Sequence, residues 1–296
     1  MIKCKFYQKF TKNFIFRIII GRLFLPLCRD IAFLLYLSYK VRKFCEKEKV
    51  MINSDRLKIQ FPLCLCTDIN KELFKNIIEG NYYVSKTILD ELIGVNSIQL
   101  NCDKDLFIFD ITGAFNAERV SLGLINQNNI LTVLEKVKNL RFVDFNSEPV
   151  IEQAKVFLCD ITQDITVNSN IEAILFELKE RLQINSGKYY IKKYENSGIS
   201  VAPIAKSKKE NLIIYPKYHQ LRKAKQKQLR EIIGYEYLSQ CKNILRFELQ
   251  LKSYKEIRHY FKLEKNQEIM LKDLLMSSEN PLITKLAELG ICEDNM

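Results

Sequence analysis

The chain has 296 residues, 47% of them hydrophobic, a formal charge of +11, nine Cys, two His, nine Gly and six Pro. That length can bury one large core or two small ones, and no Gly-, Pro- or Ser-rich linker or solenoid-period repeat divides it. No CxxC pair occurs (Cys64 and Cys66 stand closest) and only His219 and His259 accompany the thiols, which argues against zinc and for a reduced, cytoplasmic protein.

Residues 1–50 differ from the rest. They hold twelve Lys/Arg against three acidic residues, leaving 34 basic against 32 acidic in the remaining 246 positions. The charge therefore supports no general conclusion about nucleic acid. The apolar stretch Phe14 to Val41 is interrupted by Arg17, Arg22, Pro26, Arg29 and Asp30. A membrane span needs about 20 largely uncharged apolar residues, so these charges argue against one and against membrane association. Residues 1–50 are read as an apolar, basic helical extension, either membrane-proximal or upstream of the natural start at Met51.

From Met51 the pattern alternates between strands and helices. Arg56 to Pro62 reads as a strand. Lys71 to Glu79 and Ser85 to Leu92 read as short helices. Asp105 to Thr112 is a second strand, followed by an amphipathic helix over Asn129 to Lys138 with Ile130, Val133, Leu134 and Val137 on one face. Lys155 to Ile161 is an apolar strand ending in acid, and Ser169 to Leu182 is a helix. Asn211 to Tyr215 is a strand stopped by Pro216. Lys223 to Leu238 reads as one helix with a basic start. Ile244 to Leu251 alternates strictly, and helices follow around Lys255–Leu263 and Ile269–Met276. Such mixing predicts an α+β protein with a central antiparallel sheet and flanking helices. Two related βαβ-like halves are expected, residues 51–152 and residues 153–296, the second carrying the chemistry.

Three strands carry polar groups where a core sheet has little use for them. In ILRFELQL the period of two sends Leu245, Phe247, Leu249 and Leu251 to one face and Arg246, Glu248 and Gln250 to the other. In VFLCDITQD, Asp160 and Asp164 share a parity and line one surface if the strand continues. In NLIIYPKY, Tyr215 ends the strand and Lys217 lies just beyond it.

The ordered trio LCDITQD, LIIYPK and LRFELQL resembles the replication initiation proteins of filamentous phages and small rolling-circle plasmids. It is most similar to the gene II/X type and more distantly to the Rep_trans-type initiators. The resemblance spans about residues 51 to 290, and the order of short motifs carries it. It implies a tyrosine nucleophile, Tyr215, with Tyr218, Tyr189 and Tyr190 as alternatives. It implies a divalent metal, Mg²⁺ or Mn²⁺, on Asp160 and Glu248 with Asp164 as helper, and phosphate contacts from Lys217 and Arg246. The family often has a glutamate three residues after that lysine; this chain has Gln220. A Tyr phenol is a weak nucleophile while protonated, and a nearby metal or Lys is expected to favour the phenolate. The family's reaction leaves the 5′ phosphate on tyrosine and frees a 3′ hydroxyl for a polymerase.

Nine basic residues fall between positions 206 and 230: Lys206, Lys208, Lys209, Lys217, Arg222, Lys223, Lys225, Lys227 and Arg230. Only Glu210 opposes them. Bracketing Tyr215, they are expected to contact the phosphates of origin DNA, double- and single-stranded, with Tyr218 and Tyr235 near for stacking on bases. No Gly-rich phosphate loop or hydrolase nucleophile motif is present, so an unwinding helicase, like the polymerase, is expected from the host. A homodimer is compatible with the sequence. A non-catalytic initiator or regulator on the same fold is the competing reading.

Overall fold

The structure, a computed structural model, describes residues 51–78, 80–118, 123–167, 170–184, 186–194, 198–205 and 209–291. The amino-terminal extension, Lys206 and Lys208 lie outside the described residues. Twelve strands form: β1 (Ser54–Pro62), β2 (Cys66–Ile69), β3 (Phe74–Ile78), β4 (Asn81–Val84), β5 (Val95–Asn101), β6 (Leu106–Thr112), β7 (Val143–Phe145), β8 (Lys155–Thr166), β9 (Tyr189–Tyr194), β10 (Gly198–Pro203), β11 (Glu210–Pro216) and β12 (Ile244–Leu251). Among the described residues nine helices form: α1 (Lys86–Glu91), α2 (Ile130–Asn139), α3 (Ser147–Gln153), α4 (Ile171–Ile184), α5 (Lys217–Leu221), α6 (Lys227–Gln240), α7 (Tyr254–Tyr260), α8 (Leu271–Met276) and α9 (Pro281–Glu288).

Period-two alternation builds the main sheet. Leu57, Ile59 and Phe61 of β1, Phe107, Phe109 and Ile111 of β6, and Leu245, Phe247, Leu249 and Leu251 of β12 all bury on the apolar face. Helices supply the other wall of that core. Ile174, Leu175, Leu178 and Leu182 of α4 are buried, and α4 packs on β9, β10 and β11; α7 and α9 pack on β8 and β12. At roughly 25 cal/mol for each Å² of apolar surface removed from water, this face is the main favourable term in folding.

The sheet has ten strands in the order β3-β4-β5-β6-β1-β8-β12-β11-β10-β9, and neighbours are antiparallel throughout. The α+β architecture with a large antiparallel sheet is the one expected. Strands β1 and β8 meet at its centre. Outward from there, residues before 153 run β1-β6-β5-β4-β3 and residues after run β8-β12-β11-β10-β9, the same pairing order in both. The halves are antiparallel meanders rather than βαβ units, because each strand pairs with an antiparallel neighbour instead of crossing to a parallel one. Strands β2 and β7 form a separate two-stranded ribbon.

Two local expectations are corrected. Lys71 to Glu79 contains one 3₁₀ turn, Lys71–Leu73, and then β3, because pairing with β4 across a turn at Gly80 (φ 68°) outweighs a short helical pattern. The stretch Lys223 to Leu238 is not a single helix: a 3₁₀ turn precedes α6, and Gly234, at φ 75°, breaks it. No helix among the described residues is long and apolar enough to cross a membrane.

Candidate functional site

The face of the sheet opposite α4 and α9 is polar at its centre. Side chains opposite one another in an antiparallel pair point the same way, so the register assigns the rows. Tyr215 of β11 lies opposite Arg246 of β12, which lies opposite Asp164 of β8. In the next row Ile213 faces Glu248 and Glu248 faces Thr162; in the third, Asn211 faces Gln250, Gln250 faces Asp160 and Asp160 faces Arg56. Because β8 runs on to Thr166, Asp160 and Asp164 share this face, as their parity requires.

Arg246 is wholly buried and enclosed by carboxylates. Its Nε and Nη2 donate to Asp164 Oδ1 and Oδ2 at 2.6 and 2.7 Å, and its Nη1 donates to Asp55 Oδ1 at 2.8 Å. Asp55 reaches it through a register shift between Ser54 and Arg56, a bulge that turns both Asp55 and Arg56 toward this face. Arg56 in turn donates from Nε and Nη2 to Asp110 at 2.9 and 2.7 Å, and Asn96 donates to the same carboxylate at 3.0 Å. The Tyr215 hydroxyl donates to Glu248 Oε2 at 2.8 Å, while Gln250 Nε2 donates to Glu248 Oε1 at 2.8 Å.

With Arg246 bound to Asp164 and Asp55, and Arg56 to Asp110, Asp160 and Glu248 remain without a cationic hydrogen-bond partner among the described residues. Both are buried. Burial, then the charge of Glu248, pushes the Asp160 carboxyl up to about 8; burial and Asp55 likewise raise Glu248. Carboxylates that resist ionising together are a donor pair that a cation relieves. Among the described residues no group of three or more His, Cys, Asp or Glu converges as a cage. Asp160 and Glu248 are the residues on this face that could hold a divalent cation.

Each oxygen of Asp164 accepts a guanidinium hydrogen bond, and Arg246 is buried between Asp164 and Asp55. Burial and the Glu248 charge raise the Tyr215 phenol well above its ordinary value, and its proton has an acceptor in Glu248. Lys217, at the start of α5, is 3% exposed, and burial followed by the charge of Arg246 lowers it to about 8. Its ammonium makes no hydrogen bond to a described residue. Gln220 Oε1 is likewise buried without a hydrogen-bond partner among the described residues.

The basic segment divides by role. Arg222, Lys223, Lys225 and Lys227 are exposed on α5, α6 and their connection, and the Arg222 guanidinium and Lys242 Nζ lie 5.6 and 5.9 Å from the Tyr218 ring centroid. Tyr235 is 80% exposed. Arg230 instead donates to the carbonyls of Leu221 and Lys223 at 2.7 and 2.8 Å, fastening the α5–α6 connection. Lys209 is exposed beyond the start of β11. A small core of Leu221, Leu229, Ile233 and Cys241 seats this helical hairpin, with Ile93, Ala114 and Ala117 of the first half packed against it.

Sequence reasoning missed Asp55, Arg56, Asn96 and Asp110. Arg56 had a signal, since SDRLKIQ alternates as clearly as ILRFELQL; Asp55 and Asn96 had none, because bulges deliver them.

No family model and no curated protein matches the chain. Among solved structures, a rolling circle replication initiator protein from Geobacillus stearothermophilus is similar over 70% of this chain and 76% of its own, at 11% identity and a TM-score of 0.32.

Proposed function

We propose that the chain nicks and rejoins DNA at a phage or plasmid replication origin, with Tyr215 as nucleophile and Glu248 as its base. The observation that carries this reading is the 2.8 Å hydrogen bond from the Tyr215 hydroxyl to Glu248, set beside Asp160, which has no cationic hydrogen-bond partner among the described residues. A buried, protonated phenol attacks a phosphodiester only if its proton leaves as the bond forms, and Glu248 is in position to take it. The phenol oxygen then bonds to phosphorus as the bond from phosphorus to the 3′ oxygen breaks. The departing 3′ oxygen takes up a proton from water and becomes the hydroxyl that a polymerase extends. The reverse sequence rejoins the strand.

Asp160 and Glu248 are the residues that would hold Mg²⁺ or Mn²⁺, which neutralises phosphate charge when bound. Two cations of the chain face the same task. Among the described residues the Lys217 ammonium has no hydrogen-bond partner, and neither has Arg56 Nη1, whose side chain is 35% exposed and braced by Asp110. Arg246, Asp55 and Asp164 fix the strands on which Tyr215 and Glu248 stand. The exposed Arg222, Lys223, Lys225 and Lys227 supply sequence-independent attraction for the DNA backbone.

A non-catalytic origin-binding initiator is the second reading, since Gln220 stands where the resembled family often has a glutamate. The test is to incubate the full chain with supercoiled cognate plasmid and Mn²⁺ or Mg²⁺, beside Tyr215→Phe. Open circles carrying protein at the 5′ end, absent with the variant, are expected. Origin binding without nicking by the parent chain supports the second reading instead.

A further inference from the structure

The edge strand β9 reads YYIKKY, and its two parities lead to different surroundings. Tyr189 turns to the apolar side, where Lys285 Nζ of α9 lies 4.4 Å from its ring centroid and donates to its hydroxyl. Tyr190, Lys192 and Tyr194 take the other parity. Tyr190 is 63% exposed and Tyr194 44% exposed, and Lys192 Nζ lies 5.1 Å from the Tyr194 ring centroid.

Register assigns these three side chains to the face that holds Tyr215. Tyr194 lies opposite Gly198, Lys192 opposite Ser200 and Tyr190 opposite Ala202. Ser200 lies opposite Ile213, which lies opposite Glu248. A Cβ built on Gly198 would stand 3.0 Å from the Tyr215 Cβ, so Gly198 is the neighbour of Tyr215 in its row. The row therefore runs Tyr194, Gly198, Tyr215, Arg246, Asp164. Strands about 4.8 Å apart put the Tyr194 and Tyr215 backbones roughly 10 Å from each other. Between them β10 presents only Gly198, Ser200 and Ala202. Gly198 and Ser200 are buried, whereas Tyr190, Lys192 and Tyr194 stand exposed as a Tyr-Lys-Tyr platform beside the row that holds Tyr215.

We propose that this β9 platform is a subsite for unpaired nucleotides adjoining the phosphate at Tyr215. The inference rests on the nicking function proposed above and names where the strand goes. The chemistry selects single-stranded DNA. Bases in a duplex are stacked on both faces, whereas an unpaired base offers a π-face to an exposed ring whatever its sequence. Lys192 supplies charge for the adjoining phosphate. The span of about 10 Å is three nucleotides at the duplex rise of about 3.4 Å, and fewer in an extended strand.

The test measures binding alone. The full chain with Tyr215→Phe, in chelator so that no cleavage occurs, is titrated into a fluorescent single-stranded origin oligonucleotide and into the corresponding duplex, followed by anisotropy. Tyr190→Ala and Tyr194→Ala are each expected to weaken single-strand binding about tenfold and leave duplex binding unchanged. Tyr194→Phe retains the affinity, because a ring and not a hydroxyl is required. Lys192→Ala is expected to lower the slope of log affinity against log salt by about 0.7. Both tyrosines are exposed, so unchanged thermal melting separates a binding loss from misfolding. Unchanged single-strand affinity in both Ala variants overturns the subsite, as does an equal loss for duplex. A loss accompanied by a shift from dimer to monomer in sedimentation overturns it too, since β9 is then the contact with a second copy. A parent chain that never nicks but shows the selective loss retains the subsite and refutes the enzymatic reading.

Discussion

Replacing Arg246 by Met tests whether the polar belt is held by one buried cation. The guanidinium is fully buried and matches three donors to three carboxylate oxygens, two on Asp164 and one on Asp55. Removing one member of a buried charged network costs about 3 to 5 kcal/mol. The two acids retain side-chain exposures of 25% and 29%, so they recover part of their hydration and the lower figure applies. For a folded unit of this size each kcal/mol moves the midpoint by about 2 to 4 °C, so Arg246→Met should melt about 6 to 12 °C below the parent. Acid changes that gap in a definite direction. Burial raises the Asp164 carboxyl, but its hydrogen bonds to Arg246 and the charge of Arg246 outweigh this and hold it below its ordinary value. A carboxyl depressed by folding stabilises above its unfolded pKa, and that stability is lost as pH falls through the folded value. The parent should thus converge on the variant as pH drops below about 4. Calorimetry between pH 3 and pH 8 on the parent, Arg246→Met, Asp164→Asn and the double variant reads both effects. A midpoint for Arg246→Met within 2 °C of the parent at pH 7, or strictly additive single losses, would refute the reasoning.

Two further outcomes follow from individual positions. Lys217 is lowered to about 8 by burial and Arg246, so its ammonium opposes folding below that pH and the penalty fades as pH rises toward its ordinary 10.5. Lys217→Met should therefore melt above the parent at pH 7, with the difference shrinking between pH 8 and pH 10; a constant difference across that range contradicts the assignment. At Gly198, a Cβ would meet the Ile214 carbonyl oxygen at 2.7 Å and the Tyr215 Cβ at 3.0 Å. Gly198→Ala should displace Tyr215 and cut nicking tenfold or more while duplex binding is retained; full nicking activity would show that Tyr215 needs no such clearance.

In the sequence by itself, ILRFELQL and RLKIQFP alternate strictly, so their existence and sidedness follow from the period of two, and LFIFDIT is legible as a strand from its apolar β-formers. Parity also joins Asp160 to Asp164 and sets Arg246 with Glu248, and amphipathic spacing located α2 and α4. Tertiary structure decided the partners. Strands β3, β4, β9 and β10 are short or weakly patterned, and they exist because neighbours in the sheet satisfy their backbone groups. The same holds inside the candidate site. Sequence order brings Tyr215, Glu248 and Asp160 near one another only in outline. The register of β8, β12 and β11 decides that Arg246 takes Asp164, leaves Asp160 without a cationic hydrogen-bond partner among the described residues and sets the Tyr215 hydroxyl on Glu248. Asp55 enters through a backbone bulge, and Arg56 through contacts more than fifty residues distant, features that no local pattern encodes. Periodicity is a property of one strand, but charge compensation belongs to the neighbours that folding supplies.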